Sequence, residues 1–413
     1  MELLLLLIAL TVLVAVFAAP LRRRMRLQRQ GAGGGPLAAV SPESAYAFVP
    51  VDELDVRLPG PDPQLVDALE EAQAEQDPTP VARLLALTGD EWELRWQRVQ
   101  SLAGAAAREL AEARAAQAAE QAAGQSRGKG ADGAAEGHDG AGGPGAISFT
   151  KRPGGPVRDA SWLRRWRAGQ PGDQGGAQVY AQFLVWQALA EGDPDSRRII
   201  LEEARTICRE AARIADADPT PYLTELHVAR GLGDRRADFE ALWTEVVRRA
   251  PHHMGAHLAA LQYWSARGQG SKALADGFAQ TAAAHAPEGT LLPALPLFAA
   301  FEHLPEVNLV RGLYQSEEIR RAIEAAEFAV DQVEGDHPVR PHVLHLLVCM
   351  LVRAERYGEA MEALRVVDGY VGALPWAAGD DPAAQYAAYR ALAVAGYEAS
   401  GGTRAELPPP QAG

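Results

Sequence analysis

Histidines offer the sharpest chemistry in this chain. His252, His253 and His257 fall within six residues, and His253 and His257 stand one helical turn apart, a spacing that metal sites use. No third ligand is near in sequence, and His257 falls within an apolar stripe from Met254 to Leu261. The pattern therefore points to packed or capping histidines, and substitution of His253, at the stripe's edge, is expected to be tolerated. His337, His342 and His345 flank another helix start without an acidic partner in register. Cys208 and Cys349, the only cysteines, both sit in apolar stripes with no histidine beside them. An activated thiol needs an electropositive, partly exposed setting, so these read as buried and inert. The acid pairs Glu202-Glu203 and Glu317-Glu318 read as solvated helix faces. Gly231-Leu232-Gly233-Asp234 follows no strand and lacks a phosphate-binding lysine, so it reads as a helix end and turn. No catalytic, cofactor or metal motif emerges. An enzyme reading would need a site assembled from distant helices, with residues such as His257 and Glu302.

One basic and aromatic stretch stands out. Lys151, Arg152, Arg158, Arg164, Arg165 and Arg167 face Asp159 alone, a net +5, with Trp162 and Trp166 one turn apart. Arg158, Trp162, Arg164, Arg165, Trp166 and Arg167 could form a surface for an anionic membrane. The competing reading is the first helix of the main domain, its tryptophans buried and its arginines reaching outward.

Position relative to a membrane is suggested by the start of the chain. Leu3–Ala19 holds no charge and only Thr11 as a polar residue. As a helix at about 1.5 Å per residue, it is just long enough to span hydrocarbon. A signal peptide would want a basic start, whereas only Met1 and Glu2 precede the run. Arg22, Arg23, Arg24, Arg26 and Arg29 follow it. Basic flanks stay cytoplasmic, so the expected topology is N-terminus outside and body inside, at the cytoplasmic membrane. The first thirty residues carry five arginines against Glu2, so the chain's net −14 leaves about −18 on the body. Such an acidic body argues against nucleic-acid partners, which demand phosphate neutralisation. Two cysteines in 413 residues fit a reducing compartment.

The elements that must position these residues are helices. Asp62-Pro63, Thr79-Pro80, Asp193-Pro194, Thr220-Pro221 and Asp381-Pro382 each set an oxygen acceptor before proline, a helix-start signature. The string Asp-Pro-Thr-Pro occurs twice, at 77–80 and 218–221. Apolar stripes of helical period run through Ile200–Ile214, Phe239–Val247, Met254–Trp264, Ile319–Val333, Leu344–Leu351 and Tyr357–Val367. Period-two runs of β-branched residues are missing, so the fold class is all-α. The expected organisation is an anchor over 1–20, a basic flank and irregular tether over 21–60, and a small helical unit over 61–122. A disordered Gly/Ala insertion over 123–156, a helical domain over 157–400 and a disordered tail over 401–413 follow.

Breaks at Pro221, Pro251 and Pro287 fall 30 and 36 residues apart, each interval holding two helices. Around Leu347–Leu364, the turn Arg356-Tyr357-Gly358-Glu359-Ala360 resembles the tyrosine–x–glutamate–alanine signature of tetratricopeptide repeats. That resemblance implies stacked helical hairpins, with Tyr357 wedged between helices and small Ala360 allowing close packing. Ala250–Leu292 is similar to uncharacterised single-pass helical proteins of actinobacteria. It carries Leu261-Gln262-Tyr263-Trp264, Gly270-Ser271, Phe278-Ala279 and Ala286-Pro287-Glu288-Gly289-Thr290-Leu291-Leu292. The expected architecture is tetratricopeptide-like hairpins behind one N-terminal transmembrane helix. The expected function is a scaffold that binds a protein or peptide partner, with no cofactor.

Overall fold

Fifteen α-helices and no strand make up the described residues, which in this computed structural model are 46–129, 159–305 and 312–403. The chain divides into units Met1–Ala47 and Phe48–Gly413, and the fifteen described helices lie in the second. Leu3–Ala19, the five arginines after it, and Lys151, Arg152 and Arg158 lie outside the described residues. Among the described residues no helix is long and apolar enough to cross a membrane.

The helices are α1 (Pro63–Glu75), α2 (Thr79–Thr88), α3 (Trp92–Lys129), α4 (Ser161–Gly169), α5 (Gln174–Ala190) and α6 (Pro194–Ile214). Next come α7 (Thr220–Leu232), α8 (Arg236–Arg249), α9 (Met254–Trp264), α10 (Lys272–Ala284) and α11 (Leu295–Glu302). The series ends with α12 (Glu317–Gln332), α13 (Arg340–Arg353), α14 (Tyr357–Val367) and α15 (Pro382–Ala399). All five proline-marked starts begin a helix. Asp62, Asp193 and Asp381 accept from the backbone N–H three residues on, as N-caps should. The two threonines do not cap. Each is the first helical residue, and the aspartate two positions earlier, Asp77 or Asp218, takes its N–H. Gly233 ends α7 in the left-handed conformation, the helix end expected for that glycine pair.

From α5 onward, consecutive helices pack on each other, α8 meeting α9 through the stacked rings of Phe239 and Tyr263, and the odd ones also touch in series: α5 on α7, α7 on α9, α9 on α11, and α13 on α15. At the tetratricopeptide-like turn, Ala360 is fully buried. A Cβ at Gly396 of α15 would sit 2.5 Å from the Tyr357 ring, so that close approach needs glycine.

What the sequence pattern did not indicate is where the first eighty described residues go. Val49–Gly60 is not a free tether. Asp55 pairs its backbone with Gly369 and Val371, Gly372 N–H donates to Leu58 O, and Arg390 Nη1 donates to Val49 O. Nor do residues 61–122 stand apart from 157–400. Leu65, Leu69, Val81, Leu85, Val99, Leu102 and Ala106 share one buried cluster with Trp162, Trp166, Val179, Leu184 and Leu201. Helix α3 packs across α5, α7 and α9. It continues through Lys129, into the segment expected to be disordered.

Candidate functional site

The basic and aromatic stretch resolves first. Trp162 and Trp166 are fully buried, so they form no surface with the arginines around them. Trp162 Nε1 and Ala160 N–H both donate to Glu109 of α3, and Gln76 accepts from Ser161 and Trp162. Helix α4 is therefore capped by distant side chains and anchored by its tryptophans. Arg164 points outward to Asp159, Arg165 donates to Gln76 O, and Arg167 reaches Pro171 O and Glu210. The physical reason is area: two indoles bury more apolar surface against the core than a lipid headgroup layer would take.

A larger polar junction lies where α3 begins. Its first turns, Trp92 to Arg98, cross the starts of α7 and α9. Glu93 Oε1 accepts from Met254 N–H at 2.6 Å, which puts a carboxylate on the positive N-terminal end of α9. Glu93 Oε2 lies 3.0 Å from His337 Nε2, from the loop before α13. Burial acts to raise the Glu93 pKa, but the His337 hydrogen bond and the charge effect of His253 outweigh it and hold the carboxyl below its ordinary range. Two residues on, Arg95 Nε lies 3.1 Å from Asp218 Oδ2 and donates to Gln178 Oε1, while its Nη1 donates to Leu85 O. Asp218 also receives Gln178 Nε2 at 2.6 Å and Gln174 Nε2, while its other oxygen takes the Thr220 N–H. Arg98 Nε and Nη2 both donate to Asp62, and Nη1 donates to Thr88 Oγ1. Both arginines are 5 % exposed. Buried charges at this depth are tolerated because each has an opposite charge and further hydrogen bonds.

Between these polar pairs, Trp96 drops into a second core with Leu223, Leu226, Ala256, Ala260 and Tyr263, stacked on His227 at 5.9 Å. A Cβ at Gly255 would sit 2.8 Å from the Trp96 ring. Val99, Leu102 and Ala103 then fill the space toward α5.

The histidines are spent on structure. His253 caps α9: its Nδ1 accepts from Ala256 N–H and its Nε2 faces Trp92 O at 3.3 Å. It is buried, which corrects its expected place at the stripe's edge. His257 Nδ1 donates to His253 O, and its ring meets Trp243 and Phe278. His337 Nδ1 accepts from Val339 N–H, which leaves its proton on Nε2 for Glu93. His345 Nε2 donates to Pro59 O while Nδ1 accepts from Trp376 Nε1. Burial lowers the pKa of His253 and His257, and pushes His342 down to about 4 and His345 to about 3. His253, His337 and His345 have both ring nitrogens engaged, so none of these three is a free base or an open ligand. Among the described residues, no group of three or more His, Cys, Asp or Glu is placed to hold a metal ion. Glu302 faces Arg267 at 3.8 Å, with no hydrogen bond or ion pair to His257 among the described residues. Cys208 and Cys349 are buried, and burial raises both thiols.

Sequence reasoning passed over Trp92-Glu93-Leu94-Arg95-Trp96-Gln97-Arg98. Its inward positions include charged residues, so it shows no clean apolar stripe. The available signal was two tryptophans four apart alongside two arginines three apart, on the same turns. The arrangement can lock helices together and exclude water. No protein-family model matches the chain, and no curated protein or solved structure is similar to it.

Proposed function

We propose that this chain is a membrane-anchored, tetratricopeptide-like scaffold that binds a protein or peptide partner at the cytoplasmic face of the membrane. The reading is carried by the serial packing of odd helices, α5 on α7 on α9 on α11, each joined to its even neighbour. Stacked hairpins of this kind present long surfaces to other proteins. The turn at Tyr357–Ala360 supports the same architecture. The apolar run Leu3–Ala19, followed by five arginines, supports the anchor and its orientation.

The chain's own α3 covers part of the odd-helix face. A partner is therefore expected on outer surfaces, where Leu189, Ile199, Phe328 and Leu392 are exposed. Site-specific photocrosslinking in native membranes tests this. A photoreactive residue at Ile199 or Phe328 should yield a discrete adduct with another protein, and one at Trp96 should not. No adduct from any outer position would remove the scaffold reading. A reporter active only outside the cytoplasm, fused after Gly413, should stay silent.

A further inference from the structure

Buried and half-buried arginines in this acidic chain mostly meet carboxylates. Arg95 meets Asp218, Arg98 meets Asp62, Arg205 meets Asp234, Arg249 meets Glu245, Arg356 meets Glu327, and Arg390 meets Asp368. Arg353, in the last turn of α13, departs from the pattern. Its Nε donates to Tyr389 Oη at 2.7 Å and its Nη1 donates to Tyr314 Oη at 2.7 Å. The ionisable groups that act most strongly on it are Cys349, Tyr389 and Tyr314, none of them a carboxylate.

These neighbours do not neutralise it. Burial raises the Cys349 thiol and pushes the Tyr389 phenol up to about 12, so both keep their protons at neutral pH. The carbonyl end of α13 and the two ring faces, 5.3 and 5.6 Å from the guanidinium carbon, offset part of the charge but supply no anion.

Among the described residues, donors remain unspent. A guanidinium has five N–H groups, and the two phenols take two of them. The edge formed by Nη1 and Nη2 is the planar fork that matches an oxyanion in bidentate geometry. A phenol that accepts a hydrogen bond still has its own proton to give. The Tyr314 proton meets no acceptor among the described residues. Arg230, Arg340 and Arg365 also lack a carboxylate at ion-pair distance among the described residues, but none of them is hydrogen-bonded there to a tyrosine hydroxyl.

We propose that Arg353 and Tyr314 form an oxyanion-binding site that takes a phosphate or carboxylate group. The half-buried setting strengthens each charge-assisted bond relative to one in bulk water. The site stands apart from the α3 junction and does not depend on the scaffold reading.

Calorimetric titration of the solubilised full chain tests it, with inorganic phosphate and with acetate at constant ionic strength. Saturable one-to-one binding of at least one anion is expected. Phosphate preference would assign a phosphoryl source, and acetate preference a carboxylate source. Arg353→Gln should weaken binding by about tenfold or more, and Tyr314→Phe by roughly threefold to tenfold, as charge-assisted bonds are lost. The melting temperature of Tyr314→Phe should stay near that of the parent. If Arg353→Gln fails to fold, Arg353→Lys keeps the charge but loses the fork, and should weaken binding in its place. Absence of saturable binding for both anions, or unchanged affinity in these variants, overturns the site.

Discussion

Asp-Pro-Thr-Pro at 77–80 and at 218–221 starts a helix in the same way and meets different surroundings. In each copy the aspartate accepts the threonine N–H two residues on, at 3.2 Å for Asp77 and 2.7 Å for Asp218. Asp77 is partly exposed, and its other bond is to the hydroxyl of Thr79. Asp218 is 1 % exposed and gathers Arg95, Gln178 and Gln174 as well. The local turn depends on four residues. Whether its carboxylate is a surface cap or the centre of a buried network depends on α3 crossing above it.

The largest expected effect tests that difference directly. Asp218→Ala leaves the Arg95 charge buried without its partner, which typically costs about 3–5 kcal/mol. Asp77→Ala loses only a cap-like bond, about 1 kcal/mol. Urea unfolding of the solubilised full chain measures both, and equal losses would erase the distinction. Adding Arg95→Met to Asp218→Ala should recover stability, with a coupling of about 1–3 kcal/mol between the sites.

A middle-sized effect is expected at His253, beside the same junction. His253→Ala removes the α9 cap and the Trp92 contact and should cost about 1–2 kcal/mol in the same assay. A loss within error of zero would mean that the cap is replaced by water.

The smallest effect is in pH dependence. Burial, opposed by the charges of Glu93 and Asp218, holds the His253 pKa below its ordinary value of 6.5 in the folded chain. As pH falls below 6.5, the unfolded state takes the proton first, so stability drops until the folded pKa is reached. Burial pushes His227 down to about 4, which acts in the same direction. With Asp218→Asn the opposing charge is gone, the His253 pKa falls further, and the acid loss should steepen by less than about 1 kcal/mol. Asp77→Asn should run parallel to the parent between pH 7 and pH 4. Unfolding midpoints across that range decide the matter.

The legible parts of the fold share a short reach. The proline-marked starts were readable because a capping oxygen acts two or three residues ahead. The stripe from Met254 to Trp264 was readable because its apolar residues do face the core. On α6 the stripe was placed slightly off: Leu201, Ala204, Cys208 and Ala211 are buried, while Ile214 is 44 % exposed. The candidate site was nearly illegible. Arg95 and Arg98 look like solvated residues until Gln178, 83 positions away, and Asp62, 36 positions away, reach them. Trp162 and Trp166 showed their spacing but not which medium they would enter.

By itself the sequence determined the helices, most of their buried sides, and an apolar run flanked by arginine at the chain start. Those properties depend on residues within a turn or two of one another. Only the tertiary structure decided that residues 48–60 tie down the C-terminal helices and that α3 is a core element. It also decided that Glu93 and Asp218 serve as anions at the starts of other helices. A buried charge is stable only beside partners that already exclude water, and those partners come from parts of the chain that local pattern does not connect.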